Sequence, residues 1–254
     1  MKAEREKWSG RVTAKALRFQ TGQYELAEEE EICRIILVSG GSFTLVRGGE
    51  SLLVNPGCVL LLGPGLGGTA HSAARATETR TLVQQLLPGF AGAAVLDADG
   101  LNAAAQLLAE GKPFPHPAGE LVVTPHPGEM ARLTGLSAAA RAADREGIAM
   151  RYAKAWNAVV VLKGARTVVA SPDGRACVNP TGNPGLARGG SGDVLAGMLA
   201  ALLACGLPAY EAAACAVYLH GAAADRAAAK RGEYGMLPHD ILPELGALFA
   251  ENQR

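Results

Sequence analysis

The chain has 254 residues, 49% of them hydrophobic and 19% charged, a composition that suits one substantial globular domain and excludes a disordered chain. Lys and Arg number 24 against 24 Asp and Glu, which gives no electrostatic case for nucleic acid or a membrane surface and leaves room for a homo-oligomer. The longest apolar run, residues 194–205, is about half of the roughly 20 residues that a membrane-spanning helix needs.

The opening, MKAEREKWSG, is polar, with no apolar signal region. Cys33, Cys58, Cys177, Cys205 and Cys215 are scattered and form no CxxC pair, so a reduced, cytoplasmic setting without disulfides or zinc is expected. Residues 25–32 carry an acidic run, and residues 35–62 read as short β-rich segments between glycines (IILVSGG, SFTLVRGG, SLLVNPG). The loop GPGLGG follows VLLL at residue 63. Residues 93–96 (AAVL) predict a strand ending in DADG, with a helix over 101–110 and Asn102 near its start. Residues 121–123 (LVV) predict the next strand, ending in TPHPGE, with a helix through 130–133. Ser137 reads as the N-cap of a helix running to about residue 156. Residues 158–162 and 167–171 follow as strands. The turn signal of Pro172, Asp173 and Gly174 makes 167–178 a hairpin. Helices are expected over 194–205, from 209 to about 230, and from 240 to about 251.

Strands alternating with helices imply an α/β fold with a mostly parallel sheet covered on both faces. Ligands bind such sheets at the carboxyl ends of the strands. GPGLGG, DADG, TPHPGE and KGART each follow a strand, so four loops converge on one edge.

The densest signal is TGNPGLARGGSGD, in which Gly185, Gly189, Gly190, Gly192 and Asp193 precede the apolar 194–205 run. Glycines let backbone N–H groups approach an anion, and a following helix aims its positive end at the same point. Asp193 is then placed where phosphate and a reacting hydroxyl meet, as transfer of a phosphoryl group to an alcohol requires. The bland alternative is an ordinary helix entry capped by an aspartate. Lys163 with Gly164 reads either as a phosphate contact or as a strand-end lysine in solvent. His126, fixed between Pro125 and Pro127, favours a ligand contact, whereas Glu129 reads as an early-turn helix acid. The GPGLGG spacing is not a dinucleotide fingerprint. Asp97 and Asp99 read as caps of the helix after DADG in preference to magnesium ligands, so no residue is assigned to a metal. His220, in an Ala-rich helix, reads as a packed histidine, and His71, His116 and His239 carry no specific signal.

TPHPGEMARLTG, VVLKGARTVVASPDG, NPTGNPGLARGGSGDVLAGMLAALLACG and YLHGAAAD, with GPGLGG and VLDADGLNA, resemble the ADP/ATP-dependent NAD(P)H-hydrate dehydratases over about residues 59–245. The resemblance implies a single ribokinase-like domain over residues 1–254, with 1–58 divergent. It implies phosphorylation of the ring hydroxyl of (6S)-NAD(P)H hydrate by ADP or ATP with Mg2+, and loss of phosphate to restore NAD(P)H. On this pattern Asp193 is the catalytic base and a substrate contact. Gly65 and His126 contact the hydrate, and Lys163, Gly164, Ala165, Arg166, Thr167 and Gly192 bind the nucleotide. Family members begin with a KGxYG-like stretch and carry a GGS loop and a TGA segment, of which VSGGS at residue 38 is the only echo. The epimerase fused to many bacterial relatives is expected on a separate chain. Two other readings stay open: a kinase of a vitamin-precursor alcohol, and a nucleotide-binding protein impaired in catalysis.

Overall fold

The computed structural model describes residues 5–7, 15–17, 43–47, 50–54, 59–62 and 73–251. The GPGLGG loop with Gly65, together with VSGGS and His71, lies outside the described residues. In the N-terminal part, β1 (Arg5–Lys7) pairs antiparallel with β2 (Lys15–Leu17), and β3 (Phe43–Arg47) with β4 (Glu50–Val54).

The main sheet has six strands, β5 (Val59–Leu62), β6 (Ala93–Leu96), β7 (Leu121–Val123), β8 (Val159–Leu162), β9 (Val168–Ala170) and β10 (Ala176–Val178), arranged in chain order across the sheet. The first four are parallel, and the β9–β10 hairpin closes one edge antiparallel. Parallel neighbours need crossover connections. These are supplied by α1 (Ala73–Leu86), α2 (Ala98–Ala109) and the group α3 (Pro127–Thr134), α4 (Ala138–Ala143) and α5 (Arg145–Trp156). After the hairpin come α6 (Ser191–Ala204), α7 (Ala209–Arg231) and α8 (Ile241–Glu251).

The period of two along each strand sorts its side chains between the faces. Leu62, Leu96, Leu121, Val123, Val160 and Leu162 pack with Leu101 of α2, Met130 of α3 and Ile148 of α5. Val95, Val122, Val159, Val161 and Val169 pack on the other face with Leu195 and Leu199 of α6 and the alanines of α7. Both faces are therefore dry, which is why these strands read as uninterrupted apolar runs. Each fully buried Val or Leu contributes about 1.5–3 kcal/mol relative to exposure.

The strands of the main sheet fall where the sequence predicts them; β1, β2 and α1 have no counterpart in the sequence reading, and three further helices differ from it. The helix expected from Ser137 to about 156 is two helices, because Asp144 accepts the Gly147 amide at 2.8 Å and starts α5 afresh. Helix α2 begins at Ala98, so DADG supplies its N-cap and first turn and is not a loop ahead of it. Helix α6 begins at Ser191, so Gly192 and Asp193 lie inside its first turn.

Candidate active site

Three strand ends are stepped side by side by continuation of the ladder. The Asp97 amide donates to Leu62 O at 2.9 Å, Thr124 N to Leu96 O at 3.1 Å, and Lys163 N to Pro125 O at 2.9 Å. These bonds bring DADG, TPHPGE and KGART to one edge, as the convergence argument expects. The α6 N-terminus enters the same place from the opposite face of the sheet.

Lys163 is the hub. Its ammonium lies 2.7 Å from Asp97 Oδ1 and 3.8 Å from Glu129 Oε2. Both acids are buried, Asp97 at 1% and Glu129 at 5% exposure, so the solvent-facing lysine reading is excluded. Asp97 stands at the N-cap position of α2, yet its carboxylate makes no cap hydrogen bond; the sequence expectation of a cap gives way to pairing with Lys163. Burial pushes the Glu129 carboxyl above its usual range, against the pull of Lys163 and of the His126 amide. A β-carbon on Gly192 would sit 3.5 Å from Lys163 Nζ and 3.9 Å from Asp97 Oδ2, so the ion pair faces the first turn of α6 directly.

Asp193 is exposed beside this cluster. Its pKa is raised, first by partial burial and then by the Asp97 charge, with Lys163 opposing. A carboxylate whose proton affinity is raised is a stronger general base. Gly190 precedes Ser191 with φ +92°, a left-handed conformation that favours glycine, and no side chain caps the helix. Donors of the first turn thus remain for a ligand.

His126 serves first as a cap. Its Nδ1 accepts the amides of Gly128 at 2.9 Å and Glu129 at 3.3 Å, while Glu129 Oε2 accepts the His126 amide at 2.7 Å. The ring is half exposed, with Nε2 3.3 Å from Glu129 Oε1. Sequence reasoning passed over Glu129, although an acid three residues after a proline-flanked His is the spacing of a capping box. The rest of KGART runs outward. Gly164 (φ +142°) lies against the Arg145 guanidinium, whose Nη2 donates to Leu162 O at 3.1 Å and Lys163 O at 3.2 Å. The Thr167 hydroxyl donates to Gly164 O at 3.0 Å. Ala165 and Arg166 line a groove of about 560 Å³ with Asp144, Arg145, Val168 and Val178.

The mostly parallel sheet, with ligand loops at its carboxyl edge and a glycine-led helix entering from one side, is a ribokinase-like α/β fold. A ribokinase-like superfamily protein from Enterococcus faecalis aligns with TM-score 0.63 and 30% identity over 76% of this chain and 63% of its own. The chain belongs to the NAD(P)H-hydrate dehydratase family, whose model matches residues 29–246. The match begins well before residue 59, where the recognisable motifs start.

A bifunctional NAD(P)H-hydrate repair enzyme from Moorella thermoacetica is 53% identical over 164 residues, 65% of this chain and 30% of that protein. An ADP-dependent (S)-NAD(P)H-hydrate dehydratase from Neisseria meningitidis is 46% identical over 150 residues, 59% of this chain and 50% of that one. The ADP/ATP-dependent NAD(P)H-hydrate dehydratase from Bacillus subtilis, co-crystallised with ATP and Mg2+ and soaked with CoA, aligns with TM-score 0.66 and 34% identity. That alignment covers 76% of this chain and 66% of the Bacillus protein. The chain spans half or less of the length of the two curated relatives.

Proposed function

We propose that this protein restores NAD(P)H from its (6S) hydrate, using a nucleotide, ADP or ATP, to phosphorylate the ring hydroxyl. The observation that carries the reading is the meeting of Asp193 with the uncapped first turn of α6 and the Lys163 ammonium. The Asp193 carboxylate takes the proton of the hydroxyl as its oxygen attacks the terminal phosphorus of the nucleotide. The α6 amides and Lys163 face the negative charge that builds on the phosphoryl oxygens. The phosphorylated carbon adjoins the ring nitrogen, whose lone pair expels phosphate. Loss of a proton from the neighbouring carbon then forms the double bond of the dihydronicotinamide.

His126, with its ring edge exposed, and Gly65 are the hydrate contacts. Lys163, Gly164, Ala165, Arg166, Thr167 and Gly192 are the nucleotide contacts, with the groove beside Arg166 suited to its less charged part. Asp97, whose charge raises the neighbouring Asp193 carboxyl, offers an oxygen ligand suited to a divalent cation arriving with the nucleotide. Asp97 would hold Mg2+ together with the phosphates, where the ion would neutralise their charge and leave Asp193 free as the base. Among the described residues no group of three His, Cys, Asp or Glu side chains forms a ready-made metal cage. No helix among them is long and apolar enough to cross a membrane.

The test is direct. Full-length protein incubated with (6S)-NADH hydrate, ADP and Mg2+ should regain the near-ultraviolet absorbance of the dihydronicotinamide. A rate equal to that of a control lacking nucleotide overturns the assignment. Faster phosphorylation of a thiazole or pyrimidine alcohol would transfer it to the kinase reading.

A further inference from the structure

The middle of α7 makes a series of contacts that the reaction does not use, and all of them run to the loop leading into α6. Asn179 Nδ2 donates to Thr181 O at 2.9 Å and to Val217 O at 3.4 Å, and the Thr181 hydroxyl donates to Tyr218 O at 2.9 Å. Asp225 reaches the start of the glycine-rich segment. Its Oδ2 accepts the Gly182 amide at 2.9 Å, and its Oδ1 accepts Asn183 Nδ2 at 3.0 Å. Asn183 Oδ1 in turn accepts the Gly185 amide at 2.9 Å. At the far end of the segment the backbone carbonyl of Ser191, the first residue of α6, faces the His220 imidazole.

Two features show that this is a close fit and not incidental surface contact. A β-carbon on Gly221 would lie 2.2 Å from Thr181 Oγ1 and 2.7 Å from the Thr181 carbonyl carbon, so α7 and the loop touch backbone to backbone. His220 is only 6% exposed, and its Nε2 is buried without a hydrogen-bond partner. An unmet polar nitrogen costs free energy that core packing alone does not require, so a polar imidazole held there points to a task beyond filling space.

We propose that α7 is the template of the phosphate-binding loop, and that Asp225 and His220 are its positioning residues, fixing Gly182 at one end and Ser191 at the other. The inference rests on the nucleotide-binding reading of the α6 entrance and extends it to residues that touch neither substrate nor nucleotide. Residues 182–191 hold four glycines, a composition that would otherwise spread the loop over many conformations. A loop ordered before binding spares the nucleotide the entropic cost of ordering it. Two anchors on one rigid helix achieve this, because their spacing cannot change without breaking the helix.

Calorimetry with Mg-ADP on the full chain tests the proposal. His220→Ala and Asp225→Ala should each weaken ADP binding by about tenfold or more, raising the nucleotide KM by more than they lower kcat. His220→Asn and His220→Gln place a polar amide at the positions of the two ring nitrogens, and one of them should recover most of the lost affinity. Ala216→Gly, on the buried face of the same helix, should lower the melting temperature while leaving ADP affinity within twofold.

Hydrogen exchange provides a readout that needs no nucleotide: protection of the Gly182 amide should fall in Asp225→Ala and stay intact in Ala216→Gly. Unchanged exchange at the Gly182 amide in Asp225→Ala, or no recovery by either amide variant beyond the His220→Ala level, overturns the positioning role. Wild-type protein that binds no ADP would instead refute the proposed function, and the exchange result would still decide the anchoring.

Discussion

Two helices enter the site, and their N-termini are built in opposite ways. At α3 the first-turn donors are met from within: His126 Nδ1 takes two amides, Glu129 Oε2 takes a third, and Pro127 has no N–H to satisfy. At α6 the N-cap is Gly190, which has no side chain to offer, and Asp193, three residues on, makes no reciprocal cap bond. The helix dipole favours an anion at either end, but only α6 leaves donors for one. The same first-turn position holds an acid in both helices, buried against Lys163 in one and exposed in the other. A helix end is thus turned from structure to site by withholding its own cap.

Lys163 joins the two entrances, so its loss should have the largest effect. Lys163→Met would leave Asp97 and Glu129 buried with no cation. Removing one partner of a buried pair costs about 3–5 kcal/mol. Urea unfolding should show a loss of that order at neutral pH. The loss should shrink on acidification, because burial already raises the Glu129 carboxyl toward its neutral form. A change under 1 kcal/mol would mean that the pair is solvated and that the two entrances are not electrostatically linked.

Acid should loosen the α6 side through His220. Burial lowers its pKa from 6.5 to about 4. The folded state therefore binds this proton more weakly than the unfolded chain does. The associated stability is fully present above pH 6.5 and is lost as pH falls from 6.5 toward 4. The span corresponds to ~3 kcal/mol. Wild-type stability should fall between pH 7 and pH 4 by about that much more than the stability of His220→Gln. Parallel curves for the two proteins would place the histidine in a wetter environment.

Much of this was legible in the sequence because the signals were local. Continuous apolar runs such as VVVL mark strands buried on both faces, and Pro172–Gly174 can only turn. GGSGD announced the uncapped entrance through its glycines, and the resemblance of the wider motifs supplied a family. Pairing across the chain was not legible. Nothing local says that Asp97 meets Lys163, since the two come together only when β6, β7 and β8 take their register. Glu129 looked like any first-turn acid for the same reason, and His220 looked like packing because Ser191 is far from it in sequence. Asp144 misled by chemistry: an aspartate is tolerated inside a helix but prefers to start one.

Asp193→Asn separates chemistry from binding at the open entrance. The amide keeps the size of the side chain and removes the base. Turnover with hydrate should fall by about 100-fold or more, with ADP affinity within a few fold. The acid limb of kcat/KM in the wild type should lie above the usual aspartate range, since burial and Asp97 raise this carboxyl. Unchanged turnover would remove Asp193 from the reaction and leave α6 as a binding element alone.

His126→Ala should give the smallest effect and the sharpest contrast between the two ends. Loss of a side-chain cap costs about 1 kcal/mol, and here the Gly128 and Glu129 amides lose their acceptor. Exchange at those two amides should rise, and the KM for hydrate should rise with loss of the ring edge. ADP affinity should stay within twofold, because the donors freed at α3 lie across Glu129 and Lys163 from the phosphate loop. If ADP binding weakened tenfold instead, the cap at α3 would be part of the anion site. The division of labour between a closed and an open helix end would then have to be abandoned.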